Sequence, residues 1–206
     1  MVEHPRELPI VGGHVALDFA NTVDDPLGPT RHDHAATYAD LIRWSLRVGT
    51  LDEQRAAQLR RAAEQAPEAA EGALRRAHEL RDVLNDLFGA VADGGDDIPA
   101  RWTRLRPFAA DAVAAADLDS GPGPRRWSWS GAVGLEVVLH PVAAAAADLL
   151  VSSELGRVKR CARCPWLYVD RSKNRSRRWC DMADCGTAEK MGRYVARRAA
   201  RRRAGR

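Results

Sequence analysis

Cysteine is missing from most of this chain. All four cysteines, Cys161, Cys164, Cys180 and Cys185, fall within 25 residues, and the other 181 positions have none. Long apolar runs are missing too: the longest candidate, residues 142–151, is Ala-rich, is broken by Asp148 and falls well short of the ~20 residues that span a bilayer. The start, Met1-Val2-Glu3-His4-Pro5, lacks the basic-then-apolar order of a signal peptide. No membrane association is expected, and the expected location is cytoplasmic. Nor does any catalytic motif assemble, neither nucleophile elbow nor P-loop nor HExxH. His78 and Glu79 lie on a helix whose charges read as a solvated face, so the expectation is a non-enzyme. A hydrolytic or nuclease activity is the form an enzyme would take here.

What is present is unevenly distributed. The 206 residues are 45% hydrophobic and 29% charged, ordinary for a globular chain able to bury a core. The net charge of +4 conceals a division. Residues 157–206 hold 17 of the 32 Lys and Arg but 4 of the 28 Asp and Glu, a net of +13, which leaves 15 basic and 24 acidic groups, a net of −9, on residues 1–156. An acidic globular domain (1–156) followed by a basic, polyanion-binding one (157–206) accounts for this better than a solvated tail.

Periodicity predicts a mainly α protein. After Gly12-Gly13, apolar residues at 15, 16, 19, 20 and 23 suggest a short buried helix. Residues 24–34 read as a loop with Pro26, Gly28 and Pro29. Thr37 with Asp40 resembles a capping box for a helix that Gly49 ends. Thr50 is expected to cap the next helix, and Pro67 to open a long one with Leu74, Ala77, Leu80, Leu84, Leu87 and Phe88 on its core face. A fourth helix follows Pro99. Beyond the break at residues 120–124, residues 126–129 and 135–139 are expected to pair as one small β-hairpin around Gly131. Pro141 then begins an Ala-rich helix ending near residue 155. The N-terminal part is therefore expected to be a helical bundle with one hairpin.

The cysteine spacing, Cys161-x2-Cys164-x15-Cys180-x4-Cys185, suits four thiolates converging on one tetrahedral ion. Soft sulfur ligands favour zinc, with an iron site or disulfides as the rivals. Four protein ligands leave no open position, so the zinc is expected to be structural. Residues 166–169 are β-prone, 171–174 turn-like, and 178–179 lead back to Cys180. A helix is expected from Gly186, with Cys185 at its N-terminal end. The module is treble-clef-like, and a piece this small needs the metal for stability, on the order of 10 kcal/mol or more.

At about 100° per residue, Lys190, Arg193, Arg197 and Arg201 share one stripe of that helix. Ala188, Met191, Val195 and Ala199 share the other, which is expected to pack on the zinc core. Arg171, Lys173, Arg175, Arg177 and Arg178 surround the preceding turn. Arginine's planar fork suits phosphate oxygens and guanine edges, so duplex DNA is the expected partner. RNA remains open through Trp166, Tyr168 and Trp179, and a protein-interaction zinc ribbon is a further alternative. The segment 198–206 can also be read as a solvated tail.

Upstream, Asp18 and Asn21 are polar residues on an otherwise apolar helix. They could line an effector pocket, or they could cap and brace loops. His32-Asp33-His34 could contribute to a second metal site, though no further carboxylates stand near it in sequence. A small basic footprint makes dimerisation through the helical part a further expectation.

Residues Cys161-Ala-Arg-Cys164, Tyr168-Val-Asp170-Arg-Ser172-Lys173-Asn174, Ser176-Arg-Arg178-Trp179-Cys180 and Cys185-Gly186 resemble the CGNR-type zinc finger. Gly12-Gly13 and Leu17-Asp18-Phe19-Ala20-Asn21-Thr22 resemble the opening of the ABATE domain that precedes it in bacterial proteins. The resemblance implies a stress-responsive transcription regulator with a sensing N-terminal domain. One departure stands out: the chain reads Cys185-Gly186-Thr187-Ala188 where the family motif continues Cys-Gly-Asn-Arg, so any role of that Arg is lost or moved to Lys190.

Overall fold

The computed structural model describes residues 8–24, 32–120 and 123–204, with side chains through Arg198. The expected loop prolines Pro26 and Pro29 lie outside the described residues, as does the side chain of Arg201. Seven α-helices carry these residues: α1 (Val15–Ala20), α2 (Tyr38–Arg47), α3 (Glu53–Gln65), α4 (Pro67–Ala92), α5 (Ile98–Ala114), α6 (His140–Val151) and α7 (Thr187–Ala204). Three short antiparallel ladders join them: β1 (Val23–Asp24) with β2 (His32–Asp33), β3 (Asp117–Leu118) with β4 (Trp127–Ser128), and β5 (Val158–Arg160) with β6 (Leu167–Val169).

Helix α1 lies at the centre, packed against α4 and α6, and α5 closes against both of those helices. Five of its six residues are buried, which explains why so short a helix forms: tertiary packing, not propensity, holds it. Its entry is tight. A Cβ on Gly12 would come within 2.9 Å of the Asp18 amide nitrogen, and Gly13 has φ +70°, which glycine alone adopts without strain.

The capping box of α2 is present in both directions, Asp40 N–H to Thr37 Oγ1 at 3.1 Å and Thr37 N–H to Asp40 Oδ2 at 2.9 Å. The cap of α3 differs from expectation. Asp52 supplies it, accepting the Arg55 N–H at 2.7 Å, whereas Thr50 bonds back to the Ser45 carbonyl at 3.2 Å. Gly49, at φ +74°, turns the chain so that Thr50 still closes α2.

The expected hairpin around Gly131 also differs. Trp127 pairs with Leu118, before the break, and Leu135–Leu139 forms a 3-10 turn leading into α6. Four of those five residues are buried, so a mostly apolar run interrupted by the exposed Glu136 is a turn packed on α4. Helix α6 ends at Val151 rather than near residue 155.

A guanidinium enters the helical core. Arg81 is fully buried on α4 and forms a two-pronged pair with Asp33, at 2.6 and 2.7 Å, with Thr22 Oγ1 at 3.3 Å. That pair pins β2 to α4. Burial would raise the Asp33 carboxyl, but the Arg81 hydrogen bonds and charge outweigh it and hold it below its ordinary range.

Candidate metal centre and nucleic-acid interface

The hairpin β5–β6 pairs Val158 with Val169 and Arg160 with Leu167, and the turn joining its strands is the Cys161–Cys164 knuckle. The Cys161 N–H donates to the Trp166 carbonyl at 2.9 Å, closing that turn. The strand after the knuckle thus pairs backward with β5. Cys180 and Cys185 arrive from the far side, on the approach to α7. There Asp181 caps the turn Met182–Gly186 by accepting the Ala183 and Asp184 N–H groups at 2.6 and 2.9 Å.

The four sulfurs lie within 4.8 Å of one another, with Cys164–Cys180 at 3.5 Å and Cys180–Cys185 at 3.6 Å. A tetrahedral zinc with Zn–S of about 2.3 Å requires S···S of about 3.8 Å, so the cage fits that ion. The thiol chemistry agrees. Bonding to Cys164, burial and the neighbouring sulfurs push the Cys180 thiol far up, burial chiefly raises Cys185 to about 12, and hydrogen bonding to Cys180 lowers Cys164 to about 6. Four thiolates this close repel one another and need a cation among them. Three of the four cysteines are buried, and four ligands close the coordination sphere. The centre holds one structural zinc.

The ABATE domain, described as "Putative stress-induced transcription regulator", matches residues 13–153. The chain belongs to the ABATE family. The CGNR zinc finger matches residues 157–198, which include all four cysteines. No curated protein matches the chain.

In this ABATE protein the finger is anchored to the helical layer by backbone-level contacts. The Asn21 side chain reaches β6 like an additional strand: its Nδ2 donates to the Leu167 carbonyl at 2.8 Å, and its Oδ1 accepts the Leu167 N–H at 2.9 Å. The Val169 N–H donates to the Gly12 carbonyl at 2.8 Å, and Trp166 Nε1 to the Val23 carbonyl at 3.2 Å. Arg160 pairs with Asp93 beyond α4. Asp18 accepts the Gly12 N–H at 2.7 Å, and burial raises its carboxyl above the ordinary range. Asp18 and Asn21, the candidates for an effector pocket, therefore spend their polar atoms on the chain's own backbone. The physical reason is their place at the seam, where buried backbone groups need partners.

Asp170 organises the loop between β6 and Cys180. Its fully buried carboxylate accepts from Lys159 Nζ at 2.7 Å, Ser172 N and Oγ at 3.0 and 2.6 Å, and Arg177 N at 3.1 Å. Burial would raise this carboxyl, but those hydrogen bonds hold it down at about 2. Asp170 stands in the motif Tyr168-Val-Asp170-Arg-Ser172 with no role assigned to it there, although Asp-x-Ser after a strand is the pattern of a side chain that caps its own loop. Arg81 was missed as well; its trace is a cation on the core-facing stripe of α4, between Leu80 and Leu84.

The cations sort into two groups. Arg177 turns inward: Nε donates to the Trp179 carbonyl at 2.9 Å, Nη2 to the Val11 carbonyl at 3.0 Å and to the Cys180 carbonyl, and the guanidinium lies 4.3 Å over the Tyr168 ring. Arg171 pairs with Glu154 at 2.7 and 2.9 Å. Both had been expected at a nucleic-acid surface, but carbonyls and a carboxylate already occupy their donors. Lys173, Arg175, Arg178, Lys190, Arg193 and Arg197 are exposed and have no acidic partner among the described residues.

Helix α7 departs from expectation as well. It packs chiefly on the turn that carries Cys185, and beyond its first turn both faces are open, with Met191 57% and Val195 60% exposed. The apolar stripe does not cover the zinc core because Cys161, Tyr168, Cys180 and Trp179 already fill it. Ala188 stands half-buried at the position of the family's Arg. His32 and His34 meet edge to face at 4.4 Å, and His34 faces Asp24 at 3.2 Å. Among the described residues, however, only the cysteines converge as metal ligands. No helix among them is long and apolar enough to cross a membrane.

Proposed function

We propose that this chain is a cytoplasmic, non-enzymatic transcriptional regulator. Its finger (157–206) grips duplex DNA mainly through phosphates, and its helical part (1–156) receives a small-molecule effector or mediates homodimerisation. The observation that carries this reading is the set of six exposed, unpaired cations, Lys173, Arg175, Arg178, Lys190, Arg193 and Arg197, on a loop and a helix that the zinc cage holds together. Cations without acidic partners retain their full attraction for a polyanion. Arg201 belongs to the same proposed stripe by sequence. Arg171 and Arg177 contribute indirectly, by bracing the loop that presents the others.

The test is a gel shift with random-sequence duplex DNA. Binding is expected with zinc bound and is expected to be abolished by a chelator strong enough to strip the site. Binding that survives chelation would mean that the basic tail alone suffices, which sinks the role given to the finger.

A second reading is recognition of unpaired RNA, favoured by Tyr194, which is 49% exposed on the basic side of α7 with Arg198 5.8 Å from its ring. Such an aromatic can stack on a splayed base. Tighter binding to a single-stranded RNA than to a DNA duplex of equal length would select this reading. A gel shift negative for both nucleic acids would leave the protein-interaction ribbon.

A further inference from the structure

A cavity opens away from the four cysteines, none of which lines it. It occupies about 490 Å³ between the α2–α3 turn, the first turns of α3 and strand β4, with Val137 and Pro141 beneath it. That volume falls within the range of ligand sites, roughly 300–1,000 Å³. Its lining is chemically selective. Trp127, on β4, and Trp129, just past it, both line the cavity. Trp127 is a 45% exposed indole at the rim. Trp129 is half-buried and fixed by its Nε1 donating to the Ala112 carbonyl at 2.7 Å.

Arg55 faces the same space, half-buried, with no carboxylate paired to its guanidinium among the described residues. Its Nη1 donates to Gln58 Oε1 at 3.1 Å, its Nη2 donates to the Ala132 carbonyl, and its Nε is sealed from solvent with no acceptor. The one acidic group on the rim, Asp52, is committed to the Arg55 N–H as the α3 cap. A guanidinium partly removed from water, holding neutral partners only, is an incomplete arrangement that an anion completes.

We propose that this cavity binds a small planar aromatic carboxylate, its ring against Trp127 and Trp129 and its carboxylate on the Arg55 Nη N–H donors that Gln58 and Ala132 leave free. The site deepens the effector reading above and rests on it only for its consequence. Pro141 places the ligand at the beginning of α6, and just past the other end of that helix Glu154 pairs with Arg171 of the finger. Ligand contact and finger position therefore meet at opposite ends of one rigid element.

Calorimetric titration of the zinc-loaded full chain with 2-naphthoate, and with its neutral analogue 2-naphthamide, tests the site. Saturable binding is expected, with the acid preferred by about tenfold or more, the size of a charge-assisted contact. Arg55→Gln is expected to erase that preference, and Trp127→Ser to weaken both ligands while circular dichroism stays unchanged. No saturable binding by either probe, or a preference that survives Arg55→Gln, overturns the proposal. If Arg55→Gln does not fold, Trp127→Ser decides: weakened binding supports the site and unchanged binding overturns it. A gel shift with and without 2-naphthoate keeps the two readings apart. Binding at the cavity with no effect on DNA upholds the site and removes the effector role.

Discussion

The hydrogen bonds between Asn21 and β6 tie the zinc finger to the helical layer, and replacing that side chain tests how much they contribute. Asn21 is 2% exposed and satisfies both the N–H and the carbonyl of Leu167, itself fully buried. Asn21→Ala leaves those two backbone groups without partners, at about 1–3 kcal/mol each, so the expected loss is about 2–6 kcal/mol. Against a total of roughly 5–15 kcal/mol for a domain, that is a large fraction. Asn21→Asp separates hydrogen bonding from shape. It keeps the volume and the acceptor but turns a carboxylate oxygen toward the Leu167 carbonyl, and it is expected to be at least as damaging as alanine at neutral pH. Urea denaturation of the zinc-loaded protein reads the stability. Zinc transfer to a chromogenic chelator reads the coupling, with faster release expected for both variants. A loss below about 0.5 kcal/mol for Asn21→Ala, or an Asn21→Asp protein as stable as wild type, would refute the bonding argument.

Asp170→Asn removes the anion that Lys159, Ser172 and Arg177 share, and is expected to cost about 3 kcal/mol or more and to loosen the loop carrying Lys173 and Arg175; denaturation monitored by tryptophan fluorescence checks it. Because the folded carboxyl titrates at about 2, below the ordinary value near ~3.9, its contribution is present above pH ~4 and is lost as the pH falls toward 2. The gap between wild type and Asp170→Asn should therefore close over that window. Asp33→Asn strands the buried Arg81 guanidinium and is expected to cost about 3–5 kcal/mol, read as a lower urea midpoint by circular dichroism. For DNA, six free cations predict a logarithmic salt slope of about −5 and roughly a thousandfold loss of affinity between ~50 and ~200 mM salt. Lys190→Gln with Arg193→Gln should flatten that slope by about 2, whereas a salt-independent affinity would remove phosphate contact as the basis of binding.

Much of this protein was readable along the chain because the relevant physics is local. The thiol spacing of Cys161, Cys164, Cys180 and Cys185 dictates a closed cage, since a knuckle of two intervening residues can aim both sulfurs at one ion. Thr37 with Asp40, Gly49 and Pro67 marked helix ends through bonds that span only a few residues. The helical character of α4 followed from its period. The errors came where a distant partner decides. Residues 135, 137, 138 and 139 are apolar in either conformation, and packing on α4 makes the segment a turn instead of a strand.

By itself, the sequence determined the family, the metal chemistry, the mainly helical class and the uneven charge, because each depends on residue type and spacing. The tertiary structure alone decided what each polar group does. It spent Asn21 and Asp18 on backbone groups at the seam, turned Arg177 inward and tied Arg171 to Glu154. It left Arg55 without an anion beside two tryptophans, and it held α7 away from the zinc core. Which donors remain free depends on which acceptors folding brings within 3 Å, and that is a property of contacts between residues far apart in the chain.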